Sequence, residues 1–400
     1  MKNITIVEPQ FVSDFNCIGS ACRDHCCKGW SINLDKSTVN RYLKSPSIEI
    51  KNIAAENIEI TKKSFASWGA MKLKSSGSCA FLNEDRMCKV HLILGAPALS
   101  NTCATYPRLS KFYKTEQQKS LALSCPEATR QLVLSPDAML FQQTIKIQPQ
   151  ANDAREIDQR NKLLNLMCLN IVKLSGEHID EALYALTSFL LATEKVNLSE
   201  DWLAEVENQF SNVLNDLAQG EIRLQLNHIK PDHNLQWSLL LRLQTWFGRM
   251  AGKRAFPMLN HYLNKLIHIQ AEGAKTNDVS QSMIRLEKVW QSKVMPWLAE
   301  RPWVMNNYVQ YRIYNDSFPG DENQTSLMSL YLLTSEWFLL KSLIAANVEL
   351  VGTIEEEDII NIIYSYHSNT KHTEDSTKAF VAEINKTKVN DDLSLIYLLR

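Results

Sequence analysis

Glycine is scarce in this chain, at 12 of 400 residues, about 3% where soluble proteins usually carry ~7%. No two of these glycines stand in a G-x-G arrangement. That excludes the tight turn by which Rossmann-type folds bring backbone up to a nucleotide, and no alternation of strand and helix is visible either. Net charge is nearly absent: 43 Lys and Arg oppose 44 Asp and Glu. Without a basic excess the chain offers phosphate backbones little, so nucleic acid is not an expected partner. The N-terminus shows no basic segment followed by an apolar one, so no export signal is expected. Charge-free apolar runs of membrane length are also missing. The most apolar stretch, residues 327–346, carries Glu336 and Lys341 and reads as a buried helix. The expected compartment is the reducing cytoplasm, with no membrane partner.

What the chain does have is cysteine in one place. Eight of its nine cysteines (Cys17, Cys22, Cys26, Cys27, Cys79, Cys88, Cys103 and Cys125) fall in the first 125 residues, where an even spread would put about three. In a reducing compartment such a cluster points to metal or redox chemistry rather than to disulfides. The ninth, Cys168, sits among Leu164, Met167 and Ile171 at helical spacing and reads as a core thiol. Hydrophobic residues at 45% and charged residues at 22% place the remainder with ordinary globular proteins.

The texture of the chain changes near residue 150. Before it, breakers such as Ser45-Pro46-Ser47, Ser75-Ser76-Gly77-Ser78 and Ser135-Pro136-Asp137 predict irregular structure with short helices. Residues 58–60 and 66–73 are the strand candidates. After it, apolar residues recur at helical spacing over 156–174, 181–192, 199–217, 235–250, 256–270, 279–290 and 327–345. In the 199–217 segment Ser199 is the expected cap, Glu200 and Asp201 suit the positive end, and Gly220 follows. The expected fold is therefore mainly α: an irregular cysteine-rich metal-binding domain over 1–148, then an all-helical domain over 149–400. The boundary is expected between Ile147 and Asn152, around Pro149. Seven of the nine tryptophans lie in the helical part, mostly on packing stripes. Met295-Pro296-Trp297 to Pro302-Trp303 reads as an interhelical stretch that could make a protein-binding edge. Arg242, Arg249, Lys253 and Arg254 read as a solvated helix end.

The cysteines come in three groups. The first is Cys17-Ile-Gly-Ser-Ala-Cys22-Arg-Asp-His-Cys26-Cys27-Lys-Gly-Trp30, the second is Cys79 and Cys88, and the third is Cys103 with Ser124-Cys125-Pro126. Thiolates are soft, charged ligands for zinc or iron–sulfur clusters, four to a site. Neighbouring side chains tend to diverge, so Cys26 and Cys27 are expected to serve different irons or different sites. His25 and His91 are further ligand candidates, and Trp30 is expected to shield the metal from water. A site that merely organises the fold remains an alternative.

These motifs resemble the opening of the flagellin lysine-N-methylase (FliB-type) family. The likeness runs from Cys17 to Trp30, through Ile32, Leu34-Asp35-Lys36 and Tyr42, then Cys79-x-Phe81-Leu82, Cys88, Gly95, Leu99 and Cys103. It continues with Tyr106-Pro107-Arg108 and Leu123-Ser124-Cys125-Pro126-Glu127, with an echo at Asn307-Tyr308-Val309 and Phe318-Pro319. The resemblance implies methyl transfer from S-adenosylmethionine to lysine ε-amines of flagellin, with a [4Fe-4S] cluster held by the cysteines. Cys27 directly after Cys26 departs from the cysteine spacing of radical S-adenosylmethionine enzymes. A lysine with a free pKa of about 10.4 must lose its proton before attack. Asp24, Asp35, Glu84, Asp85, Tyr106 and Glu127 are the candidates nearby, and Asp35, Tyr106 and Arg108 are taken as catalytic candidates. Arg108 is also the candidate for pairing with a cofactor carboxylate through its fork of donors. The alternative function is a non-enzymatic zinc- or iron-chelating or redox-sensing protein.

Overall fold

The computed structural model describes residues 2–30, 32–148, 154–196, 201–275, 278–320, 325–371, 374–388 and 391–400. Among these, the strands are β1 (Lys2–Pro9), β2 (Asn33–Leu34), β3 (Ile58–Ile60), β4 (Gly69–Met71), β5 (Arg108–Phe112), β6 (Glu116–Leu121) and β7 (Phe141–Gln148). A small sheet of order β2-β4-β3 contains both expected strands, as β3 and β4. A larger sheet of order β5-β6-β1-β7 was not expected. In it β1 runs parallel to β6, with Thr5 opposite Glu116, and antiparallel to β7, with Lys2 opposite Gln148. Parallel neighbours need a long crossover. Here the crossover is the cysteine-rich excursion that leaves the end of β1 and returns at β5.

The C-terminal part is helical, as its periodicity predicts. The 156–174 segment is the helix Gln159–Leu174, capped by Asp158, which accepts from the amides of Arg160 and Asn161. The 199–217 segment is Trp202–Gln219, closed by Gly220 at φ +77°, a left-handed position that suits glycine. The expected cap Ser199, with Glu200, lies outside the described residues, as do Pro149 and Asn152 of the expected boundary. Residues 327–345 fall within the helix Ser326–Val351, capped by Thr325. Length and composition would let that helix cross a membrane, but 78% of its apolar window is buried inside the fold. The Met295–Trp303 stretch is largely helical rather than extended: Met295–Ala299 continues a π-helical turn, Trp290–Val294, and Arg301 lies 4.7 Å over the Trp297 ring.

Two apolar cores result. The smaller gathers Ile32, Leu34, Val39, Tyr42, Ile50, Met71, Phe81 and Val90 with the Cys79 side chain. The larger unites the helices with residues from the N-terminal third, among them Val7, Phe11, Leu121, Leu123, Cys125 and Leu132. The helix Trp303–Asn315 is its axis, buried from Val304 to Tyr314. Tyr311 donates to the Leu121 carbonyl at 2.7 Å and Tyr314 to that of Val7 at 3.0 Å, fastening the large sheet to the helices. Cys168 is fully buried in this core, as its spacing predicts. Lys341 is also enclosed there, 2.9 Å from Asp180 and 2.8 Å from Glu287; two carboxylates offset the cost of desolvating one ammonium.

Candidate metal centre

Backbone pairing brings distant cysteines together. Lys28 bridges to Ser78, Gly29 donates to the Gly77 carbonyl at 2.9 Å, and Cys79 donates to the Cys27 carbonyl at 2.8 Å. The chain then turns at residues 83–87, where the Asn83 side chain accepts from the Met87 amide at 2.7 Å. A Leu82–Cys88 bridge sets Cys88 beside the Cys79 loop. Cys103 enters on the short helix Asn101–Thr105, whose cap Ser100 accepts from the Cys103 amide at 3.1 Å. None of the nine cysteines is in a disulfide.

Cys26, Cys27, Cys79, Cys88 and Cys103 form one electrostatic group. Burial, with Cys88 and Cys103 adding to it, pushes the Cys79 thiol up to about 11. Burial likewise raises Cys88 and Cys103, each also opposed by Cys26. The Cys26 and Cys27 side chains hydrogen-bond each other, which lowers Cys26 to about 7 and drives Cys27 upward. The expected divergence of this pair is therefore corrected. The backbone that commits the Cys27 carbonyl to Cys79 leaves both thiols facing the same group. Cys26 apart, such crowding holds the thiols protonated at neutral pH unless positive charge enters among them, which is what a bound metal would supply. His25, next to Cys26, has a buried Nδ1 without a hydrogen-bond partner. His91 is exposed. Among the described residues no three His, Cys, Asp or Glu side chains converge at single-ion distances.

Cys17, Cys22 and Cys125 lie apart from that group. Burial raises Cys22, to which Cys17 is an electrostatic neighbour. Cys125, at the cap position of the helix Pro126–Leu134, is pushed up to about 12 by burial, with Cys22 adding to the shift. Between the two thiol sets stands Arg254, only 5% exposed. Its Nε donates to Asp24 Oδ2 at 3.0 Å, one Nη to the Asp24 carbonyl at 2.9 Å and the other to the Tyr106 hydroxyl at 3.1 Å. Tyr106 in turn lies 2.9 Å from the Ser124 hydroxyl. This corrects the reading of Arg254 as a solvated helix end. Gly29 permits the approach: at φ +76°, a Cβ there would stand 2.5 Å from the Arg254 Cβ. Trp30 packs 5.7 Å from the Tyr106 ring and donates to the Cys26 carbonyl at 2.6 Å.

The three catalytic candidates are not brought together. Tyr106 is in the Arg254 network, and burial pushes its hydroxyl up to about 12 against the pull of Arg254. Asp35 caps the helix Lys36–Leu43, accepting from the Thr38 amide at 2.9 Å and from the Ser37 and Thr38 hydroxyls at 2.6 Å each. Partial burial opposes its ionisation, yet those bonds hold it down to about 2. Arg108 begins β5, exposed, its guanidinium 5.1 Å over the Phe15 ring. Glu127 is engaged by Arg130 at 2.6 Å.

Comparison with known proteins fits these motifs. The family model of the FliB lysine N-methylase C-terminal domain matches residues 165–398. A lysine-N-methylase of Salmonella typhimurium (strain LT2) is 38% identical over the full length of both chains, and one of Salmonella choleraesuis (strain SC-B67) is likewise 38% identical over both full lengths. The flagellar biosynthetic protein FliU of Salmonella muenchen is 53% identical across 35% of this chain and 83% of its own. No solved structure matches.

Proposed function

Because this chain belongs to the FliB lysine N-methylase family, we propose that it methylates lysine ε-amines of flagellin, with S-adenosylmethionine as donor and a cysteine-held [4Fe-4S] cluster. The observation that carries the reading is the grouping of five thiols, Cys79 buried and the other four half-buried, beside a buried arginine that reaches from the helical body. Their donor chemistry suits a cluster: soft ligands, with the buried Nδ1 of His25 alongside. Cys26, Cys27, Cys79, Cys88 and Cys103 supply the ligands of this reading, while Cys17, Cys22 and Cys125 form a second set across Arg254. When bound, the cluster would supply positive charge and electron-accepting capacity in this part of the fold.

Methyl transfer of this class forms one N–C bond as one C–S bond breaks, and the amine loses one proton. The chain's own part is to desolvate the lysine, hold it neutral and align it with the donor. Tyr106, tied to Arg254 and Ser124, is placed to orient a group at the junction of the two regions. Arg254 holds the Cys26 loop by Asp24 from the opposite side. The reading is tested by anaerobic purification with iron and sulfide analysis, expected at about four of each per chain. Incubation with S-adenosylmethionine and flagellin follows, with lysine mass shifts read in methyl units. A colourless protein with stoichiometric zinc removes the cluster. Absence of any shift after reconstitution removes the methylase reading.

A further inference from the structure

A cavity of ≈320 Å³ lies where the C-terminal end of the helix Trp303–Asn315 meets the helices Ser326–Val351 and Glu356–Thr370. Its wall includes Leu123 and Ser124, the two residues before Cys125. Through the Ser124 hydroxyl it connects to Tyr106, Arg254 and Asp24. The cavity thus lies beside Cys125 and at one end of the Arg254 network, although its charged residues come from the helical body. Its size is at the lower end for small-molecule sites.

The charges around it are paired in an uneven way. Glu336, 1% exposed, is a sealed counter-ion: it pairs with Arg312, lies 3.3 Å from Lys371 and accepts from the Tyr308 hydroxyl at 2.7 Å. Tyr308 also meets His367 Nε2 at 3.1 Å. Arg312, 5% exposed, pairs with Asp316 as well. The other two charges stay open. Asp316 keeps 43% of its side-chain surface accessible and Lys371 keeps 21%, and both line the cavity. One open anion and one open cation on a single cavity, with Phe318, Leu332 and Leu333 as apolar wall, match a ligand carrying an ammonium and a carboxylate on an apolar stem. A bare lysine arm would need only the carboxylate.

We propose that this cavity seats the α-amino-acid head of the methyl donor, with Asp316 receiving its ammonium and Lys371, backed by Arg312, its carboxylate. The assignment rests on the methylase reading and adds to it where the donor sits. Sealed Glu336 keeps Arg312 and Lys371 in place when no ligand is present, so the site is positioned before binding. Burial, aided by Arg312, draws the Lys371 ammonium down to about 7, and an incoming carboxylate would hold it charged.

The test is equilibrium binding of S-adenosylhomocysteine and of S-adenosylmethionine to the full chain by calorimetry, without turnover. Asp316→Asn and Lys371→Met are each expected to weaken both ligands roughly ten- to hundredfold, since each removes a charge-assisted contact. Free methionine is expected to compete in the wild type and to lose that competition in both variants. Ser329→Trp, on the cavity wall, guards against misfolding of the charge variants: it leaves the charges intact and is expected to abolish binding while the melting temperature holds. Wild-type affinity in all three variants overturns the cavity assignment and leaves the methylase reading standing. A wild type that binds neither ligand overturns both. Asp316→Asn that weakens a lysine peptide but not S-adenosylhomocysteine overturns the assignment in favour of the substrate amine.

Discussion

The two cores of this molecule are stabilised by different means. The larger is organised around whole buried helices such as Trp303–Asn315 and Leu330–Val348 of its longest neighbour, and it can enclose charges because partners surround them. The smaller has two- and three-residue strands and short helices, and its apolar side chains share their space with thiols. So few buried residues supply little hydrophobic stabilisation, and domains of that scale usually rely on a metal or a covalent link. No disulfide is present. The contrast teaches that the small core, rich in thiols and poor in apolar bulk, is the one a bound metal would stabilise.

The largest expected effect separates the regions outright. On the cluster reading, chelation of the metal, or Cys79→Ser, should remove several kcal/mol from the small core alone, because metal-binding energy would be folding energy there. Hydrogen exchange followed by mass spectrometry should show residues 32–103 losing protection while the helix Trp303–Asn315 keeps it. Equal loss in both would mean that the two cores are one cooperative unit.

A second perturbation works from the other side. Lys341→Met leaves Asp180 and Glu287 facing each other without their cation, which should cost about 3–5 kcal/mol. Urea unfolding followed through the body's tryptophans should report it, and iron content should not change. Next comes the contact between regions. Arg254→Ala strands Asp24 and Tyr106 and should cost about 2–3 kcal/mol. The readout is faster exchange around Cys22–Trp30, and Arg254→Lys should restore only part of the protection because it lacks the forked donors. The smallest effect is local. Asp35→Ala removes a helix cap and should cost about 1 kcal/mol, seen as a lower melting temperature of the small core. The Asp35 contribution is full above the ordinary carboxyl pKa of 3.8 and is lost as pH falls through about 2. The difference between wild type and Asp35→Ala should therefore shrink on acidification across that window.

Much of the helical body could be read directly, since stripes such as Trp202, Leu203, Val206, Phe210 and Val213 are written at helical spacing. The large sheet was harder. Ile4 and Ile6 alternate as a strand should, but Glu116-Gln-Gln-Lys-Ser-Leu121 is polar on both faces and holds its place through pairing rather than pattern. The cysteines announced a centre without revealing which thiols share it, because partition depends on turns such as residues 83–87 that bring Cys88 back. Arg254 was misjudged since a basic run at a helix end looks alike whether solvated or buried. Only Gly29, far away in sequence, hints that something must approach. Asp316 and Lys371 carry no local motif at all; the helices of the body bring them to one cavity.

The parallel pairing of β1 with β6 has a consequence for biosynthesis. The first strand leaves the ribosome long before its neighbour exists, so the cysteine-rich excursion must be made while the sheet is still open. A chain cut after residue 148 would carry this segment without its helical lid, and the matching C-terminal fragment would expose the faces that Leu121, Leu123 and Leu132 cover. The region matched by the C-terminal family model thus buries part of its own core against residues that precede it.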